Sequence, residues 1–238
     1  MIPKIIHYCW FGRGEKPKLA KKCIASWKKY CPDFKIIEWN EDNFEIEKYP
    51  YARYCYENKK WAFLSDFARL IVVHEHGGVY FDTDVEVIKP LENLLEYDAF
   101  YGFENETNVA TGLGFGAVPK HKTVEAMIQK YHELKRDNNG KYPLVVCPAL
   151  NTEALKPMGL ELNGKFQKIN GAAILPVDYL NPYDDPTGRL NKTKNTVSIH
   201  WYSKSWMDKK TIFRSMITKP FHRVFGVDCF HKFKKGKK

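Results

Sequence analysis

The chain has 238 residues, 44% of them hydrophobic and 28% charged, with 38 Lys and Arg against 28 Asp and Glu for a formal net charge of +10. These proportions exclude a disordered chain, a collagen-like repeat and a disulfide scaffold, and the length allows a sizeable core. The basic balance points to an anionic partner: nucleic acid, nucleotide phosphate or an acidic membrane surface.

No window approaches the roughly 20 apolar residues that a membrane-spanning helix needs. The opening Met1–His7 lacks the charged-then-apolar order of a signal peptide, so a cytoplasmic protein is expected. The six cysteines form no C-x-x-C pair and no metal-finger spacing, and they read as reduced core filler.

Lys4 to Cys9 is a short apolar run that ends at Trp10-Phe11-Gly12, and it reads as a buried strand. Between Pro17 and Tyr30, Leu19, Cys23, Ile24 and Trp27 recur at helical spacing, with lysines on the other face. Phe34 to Trp39 reads as a second strand, so the chain opens as a parallel α/β unit. Trp61 to His76 repeats Trp61, Leu64, Ala68, Ile71 and Val72 at three- and four-residue steps, a helix stopped by Gly77-Gly78. Strands are predicted at Val79–Phe81, Val85–Ile88, Phe100–Phe103 and Leu113–Val118, and a helix at Thr123–Arg136. The C-terminal third, rich in proline, reads as irregular apart from apolar runs at Ala172–Leu175 and Val197–Ile199. A single α/β domain with an elaborated C-terminal part is expected.

The sharpest local signal is Asp82-Thr83-Asp84. Carboxylates at i and i+2 of an extended backbone point to one side, and they repel unless a cation or a proton sits between them. Oxygen-rich sites of this kind suit Mg²⁺ or Mn²⁺ bridging to phosphates. The plainer reading is a polar turn after a strand. Asp66 and Arg69 lie three apart on one face of the Trp61–His76 helix, either as a surface ion pair or, among apolar flanks, as an enclosed reader of hydroxyls and phosphate oxygens.

Taken together, Ser65-Asp66-x-x-Arg69-Leu70, Gly77-Gly78-x-Tyr80 and Asp82-x-Asp84 resemble the D-x-D sugar-binding region of family 32 glycosyltransferases. The stretch also looks like the glucosyltransferase domain of large clostridial toxins. Ile2-Pro3-Lys4-Ile5-Ile6-His7-x-x-Trp10 is similar to the family's opening strand, and Ser198-Ile-His200-Trp201-x-x-x-x-Trp206 to its C-terminal signature.

The resemblance implies a GT-A-like α/β fold with a mixed, mostly parallel sheet over residues 1–218. Residues 1–90 would bind the nucleotide sugar, residues 91–218 would form the acceptor side, and residues 219–238 would be a basic amphipathic tail. It implies a metal-dependent, retaining transfer of a hexose from a nucleotide sugar, UDP-linked by the analogy at Trp10, to a glycan or lipid-linked glycan. The setting implied is polysaccharide or capsule synthesis. Asp66, Arg69 and Asp84 would be catalytic. His7, Trp10, Asp66, Arg69, Tyr80, Asp82, Thr83, Asp84 and Trp206 would bind the donor. Asp82, Asp84 and His200 would hold Mn²⁺ or Mg²⁺. Trp10, His200 and Trp206 each keep the alternative of a packing role, and Asn105, Thr111, Gly112 and Gly114 are weaker candidates on the acceptor side.

The tail, with seven Lys and Arg and one Asp from Lys219 onward, either meets an anionic membrane surface on the inner face of the cell or is simply solvated. Two rivals stand beside the transferase. One is a glycoside hydrolase using Asp82 and Asp84, although such carboxyls flank the sugar about 5–9.5 Å apart. The other is a nucleic-acid-binding module without catalysis, which explains the charge but not the paired aspartates.

Overall fold

In the computed structural model, the described residues are 1–204 and 207–230, apart from the side chain of Lys209. The first half alternates strands and helices: β1 (Ile5–Cys9), α1 (Lys18–Tyr30), β2 (Lys35–Trp39), α2 (Pro50–Glu57), α3 (Trp61–His76), β3 (Gly78–Tyr80) and β4 (Val85–Val87). After these come β5 (Ala99–Asn105), β6 (Asn108–Ala110), β7 (Phe115–Ala117), α4 (Lys122–His132) and α5 (Cys147–Leu155). The chain continues with β8 (Gln167–Ile169), β9 (Ala172–Leu175), α6 (Val177–Leu180), β10 (Tyr183–Asp184), β11 (Arg189–Leu190), β12 (Ser198–His200) and α7 (Lys209–Phe225).

The main sheet runs β2-β1-β3-β7-β5-β9-β8, with β6 on β5. Strands β2, β1, β3, β5 and β9 point one way, and β7, β8 and β6 run against them. It is the mixed, mostly parallel sheet of a GT-A-like α/β fold. Its two faces follow the two-residue alternation of the strands. Val79 and Phe81 pack with Ile6, Tyr8 and Trp27 on the α1 face. Tyr80 packs with Phe67, Tyr101 and Phe115 on the face covered by α3, α4 and α5. The C-terminal ends of β1 and β3 therefore open at one edge, where strand ends of α/β sheets characteristically receive ligands.

The periodicity of α1 and α3 gives their extents to within one residue of the predicted ones. Gly77 closes α3 at φ +65°, where a Cβ would lie 2.6 Å from Pro119 Cδ. The C-terminal third, in contrast, is not irregular. Cys147-Pro148 opens α5, because proline is tolerated in the first turn of a helix, where its missing N–H has no partner anyway. Helix α7 runs unbroken through residue 219, where the sequence pattern starts the tail. Among the described residues, no helix is long and apolar enough to cross a membrane.

Candidate metal and donor site

The Asp82-Thr83-Asp84 segment is a turn, not the extended piece expected from its sequence. The backbone N–H of Val85 donates to the Asp82 carbonyl at 3.0 Å. The turn brings both side chains to one side, and β4 then pairs antiparallel with β12, setting His200 opposite Val85. Donor atoms of Asp82, Asp84 and His200 all lie within 4.8 Å of one another. Carboxylates this close together do not straddle a sugar in the way a hydrolase pair does, at about 5–9.5 Å.

Each member of the cluster is held by different neighbours. Asp82 Oδ1 accepts from Arg69 Nη2 and from the Tyr80 hydroxyl, both at 2.9 Å. The same Arg69 Nη2 lies 2.8 Å from Asp66 Oδ1, and the guanidinium sits 4.9 Å from the centre of the Tyr80 ring. Asp84 Oδ1 meets His200 Nε2 at 3.2 Å, and its Oδ2 accepts from the Ser203 N–H at 2.7 Å. The His200 ring rests on the Tyr202 ring at 4.0 Å. The Tyr202 hydroxyl accepts from Asn181 Nδ2 at 2.8 Å and donates to Glu104 Oε1 at 3.4 Å. Tyr202 and Lys204 both have positive φ, +49° and +53°, a conformation that costs energy for side chains with a Cβ and recurs at functional sites.

Burial drives the protonation of these groups. It pushes the Asp66 carboxyl up to about 6, against the pull of Arg69. It raises Asp82 as well, again opposed by Arg69. Burial also works to raise Asp84, but His200 and the Ser203 N–H outweigh it and hold Asp84 well below the usual carboxylate range. For His200, burial favours the neutral ring, and Asp84 overcomes this and raises its pKa.

The residues present suit a divalent cation. The site offers two carboxylates and an imidazole, and His200 Nδ1 is a buried nitrogen with no hydrogen-bond partner among the described residues. Asp66 and Asp82 share the one guanidinium of Arg69, while Asp84 is paired with His200. Carboxylate and imidazole donors of this kind suit Mn²⁺ or Mg²⁺.

Several donor-site expectations are corrected by burial. His7 is fully buried; its Nε2 donates to the Gly77 carbonyl at 2.8 Å and its Nδ1 accepts from Trp39 Nε1 at 3.0 Å, so it is a framework residue with nothing to offer a donor. Tyr80 is also buried, and its hydroxyl donates to Asp82 and orients that carboxylate. The Arg69 side chain is 3% exposed and is paired with both Asp66 and Asp82. Thr111 does not face an acceptor: it is buried and bonds to Asn151 at 3.0 Å. Gly112 packs beneath the carboxylates, where a Cβ would stand 2.7 Å from Asp82 Oδ2.

Trp10 lies half-buried at the end of β1, its indole N–H donating to the Gly14 carbonyl at 2.6 Å. Thr83 and Asp66 are partly open. Trp206 lies outside the described residues. Glu104, Tyr202 and Cys147, whose Sγ is 3.5 Å from Arg69 Nη1, were not singled out by the sequence. Each comes from a separate element, and no spacing links them to Asp84.

Residues 17–101 match the glycosyltransferase sugar-binding region containing the DXD motif. The chain is 32% identical over 194 residues to an uncharacterized glycosyltransferase of Acanthamoeba polyphaga mimivirus, covering 76% of this chain and 74% of that protein. It is 28% identical over 162 residues to inositol phosphoceramide mannosyltransferase 1 of Schizosaccharomyces pombe, covering 62% of this chain and 48%, about half, of the yeast enzyme. A crystal structure of a glycosyltransferase involved in the glycosylation of the major capsid of PBCV-1 superposes with a TM-score of 0.49 at 11% identity, covering 84% of this chain and 95% of that one.

Proposed function

We propose, from the premise that the chain belongs to the family of glycosyltransferases with a DXD-containing sugar-binding region, that it moves a hexose from a nucleotide sugar to a glycan or lipid-linked glycan with a divalent cation bound at Asp82, Asp84 and His200. The observation that carries this reading is the convergence of those three side chains from two separate segments beside a buried Arg–Asp pair. A bound Mn²⁺ or Mg²⁺ would neutralise charge developing on a departing nucleoside diphosphate.

The protein's own residues supply the rest. Arg69 and Tyr80 lock the rotamer of Asp82, so the carboxylate is already in place before a donor arrives. Asp66, held by Arg69 and partly open, is positioned to accept hydrogen bonds from sugar hydroxyls. Trp10 offers an indole face to the nucleobase, a stacking contact worth about 1–3 kcal/mol by nucleic-acid precedent. The reading as a UDP donor rests on that position. Transfer with retention of configuration follows the family resemblance. In a front-face departure the leaving phosphate oxygen takes the acceptor's proton, and no carboxylate nucleophile is required. The yeast relative's name specifies mannose, so GDP-mannose belongs among the donors tried.

The test is a panel of UDP- and GDP-sugars incubated with the protein in Mn²⁺ or in excess chelator, reading release of nucleoside diphosphate. Release from one donor class that stops on chelation is expected. Release indifferent to chelation would remove the cation from the reading, and silence with every donor would remove the nucleotide sugar.

A further inference from the structure

Helix α7 sits on the domain the wrong way round for a soluble protein. Ser215, Lys219 and His222 recur at four- and three-residue steps and face the body. Ser215 Oγ accepts from Lys204 Nζ at 2.9 Å, Lys219 Nζ reaches Asp185 at 2.9 Å and the Tyr183 hydroxyl at 3.0 Å, and His222 Nδ1 lies 3.2 Å from the Pro186 carbonyl. The inner face is thus the polar one.

The outer face carries Phe213, Met216, Ile217, Phe221, Val224 and Phe225 in one stripe, and Phe213 and Val224 are 64% and 72% exposed. Among the described residues, eight of the fourteen large apolar side chains that stand exposed lie between 213 and 230. A contiguous patch of this kind marks a surface that something covers.

Charge indicates what covers it. Residues 209–225 contain five of the 38 Lys and Arg and none of the 28 Asp and Glu. A second copy would bring the same concentrated positive charge face to face, and like charges across an interface repel. An anionic bilayer offers both an apolar interior for the stripe and phosphates for Lys210 and Arg214, which share its side of the helix.

We propose that α7 is an interfacial helix that docks this protein flat onto an anionic lipid surface through its outward apolar face. The docking is tied to the metal-suited site by a short strap: Ser203 donates to Asp84, and the next residue, Lys204, bonds both Ser215 of α7 and Asp185. The proposal does not depend on which sugar is moved.

It is tested by cosedimentation of the full chain with vesicles of phosphatidylcholine alone and of phosphatidylcholine mixed with phosphatidylglycerol. Partition is expected to be about tenfold or more higher onto the mixed vesicles. In the double variant Phe213→Ser, Val224→Ser it should drop by about tenfold, because those side chains would no longer enter the acyl boundary. Both positions are open to solvent, so circular dichroism should show an unchanged fold. A Val224→Trp variant should be quenched by brominated acyl chains. Equal partition of wild type and double variant, or anionic binding without quenching, would overturn insertion of α7 and leave only adsorption by charge. A lipid-free dimer that the double variant dissociates would also overturn it and assign the face to a second copy.

Discussion

Asp82 and Asp84 are separated by one residue, yet two different parts of the molecule hold them. Asp82 is bound from within the first half of the chain, by Arg69 of α3 and by Tyr80 of the strand before it. Asp84 is bound from far along the chain, by His200 of β12 and by the Ser203 N–H, 119 residues on. In the first arrangement a buried guanidinium is shared between two carboxylates. The second leaves His200 Nδ1 buried and without a hydrogen-bond partner among the described residues. The difference teaches that one carboxylate is anchored by its near neighbours in the chain, while the other depends on a segment more than a hundred residues away.

If that division is right, substitutions on the two sides fail in different ways. Asp84→Ala should keep the fold and lower turnover on the order of a thousandfold, because a cation at a departing diphosphate is worth several kcal/mol. Nucleoside diphosphate release beside a thermal melt would show it, and a variant retaining more than about a tenth of wild-type turnover would break the comparison. Arg69→Met should instead cost about 3–5 kcal/mol of stability, because it strands two buried carboxylates. Urea denaturation would read this, and a variant as stable as wild type would mean that Asp82 has another anchor.

Two histidines sharpen the contrast. His7 has both ring nitrogens satisfied, and burial pushes its pKa down to about 4, the Gly77 carbonyl opposing. Its pKa is lower in the folded chain than in the unfolded one. The stability it contributes is therefore full above about pH 6.5 and is lost as pH falls through about 4, on the order of 3 kcal/mol in all. His200 moves the opposite way, burial being overcome by Asp84, so its contribution is full below the ordinary imidazole value and is lost as pH rises through its folded pKa. An NMR titration of the imidazole carbons in metal-free protein should place the His7 ring below the ordinary value and the His200 ring above it. Two rings titrating together would undo the distinction. The smallest of these effects is expected for Gly112→Ala, whose Cβ would stand 2.7 Å from Asp82 Oδ2 and 3.2 Å from Arg69 Nη1. Displacing that carboxylate should cost about 1–3 kcal/mol, read as a shifted urea midpoint.

The sequence was legible where a local period carries the signal. The apolar repeats of α1 and α3, the glycine stop and the short strands at β1, β2 and β3 are fixed by residues within a turn or two of one another, and the fold class follows from their order. The D-x-D pair was legible by the same token, with a turn as one of two readings of its backbone, since Thr83 fits a turn and a strand alike. Which face of the sheet a strand residue joins was not legible for His7 or Tyr80. Both stand next to site residues in the sequence, and both point into the α3 side of the core. His200 came only through the family's C-terminal signature, because the pairing of β12 with β4 is a long-range contact with no local pattern. The prolines of the last third masked α5, which supplies Cys147 and Asn151 to the floor of the site.

The most direct test is a calorimetric or electron-spin titration of Mn²⁺ into the metal-free wild-type chain and into His200→Ala. One ion per wild-type chain is expected, bound much more weakly once the imidazole is removed, with the fold intact by circular dichroism. A wild-type chain that takes up no Mn²⁺, or a His200→Ala variant that binds it unchanged, would contradict a cation site at Asp82, Asp84 and His200.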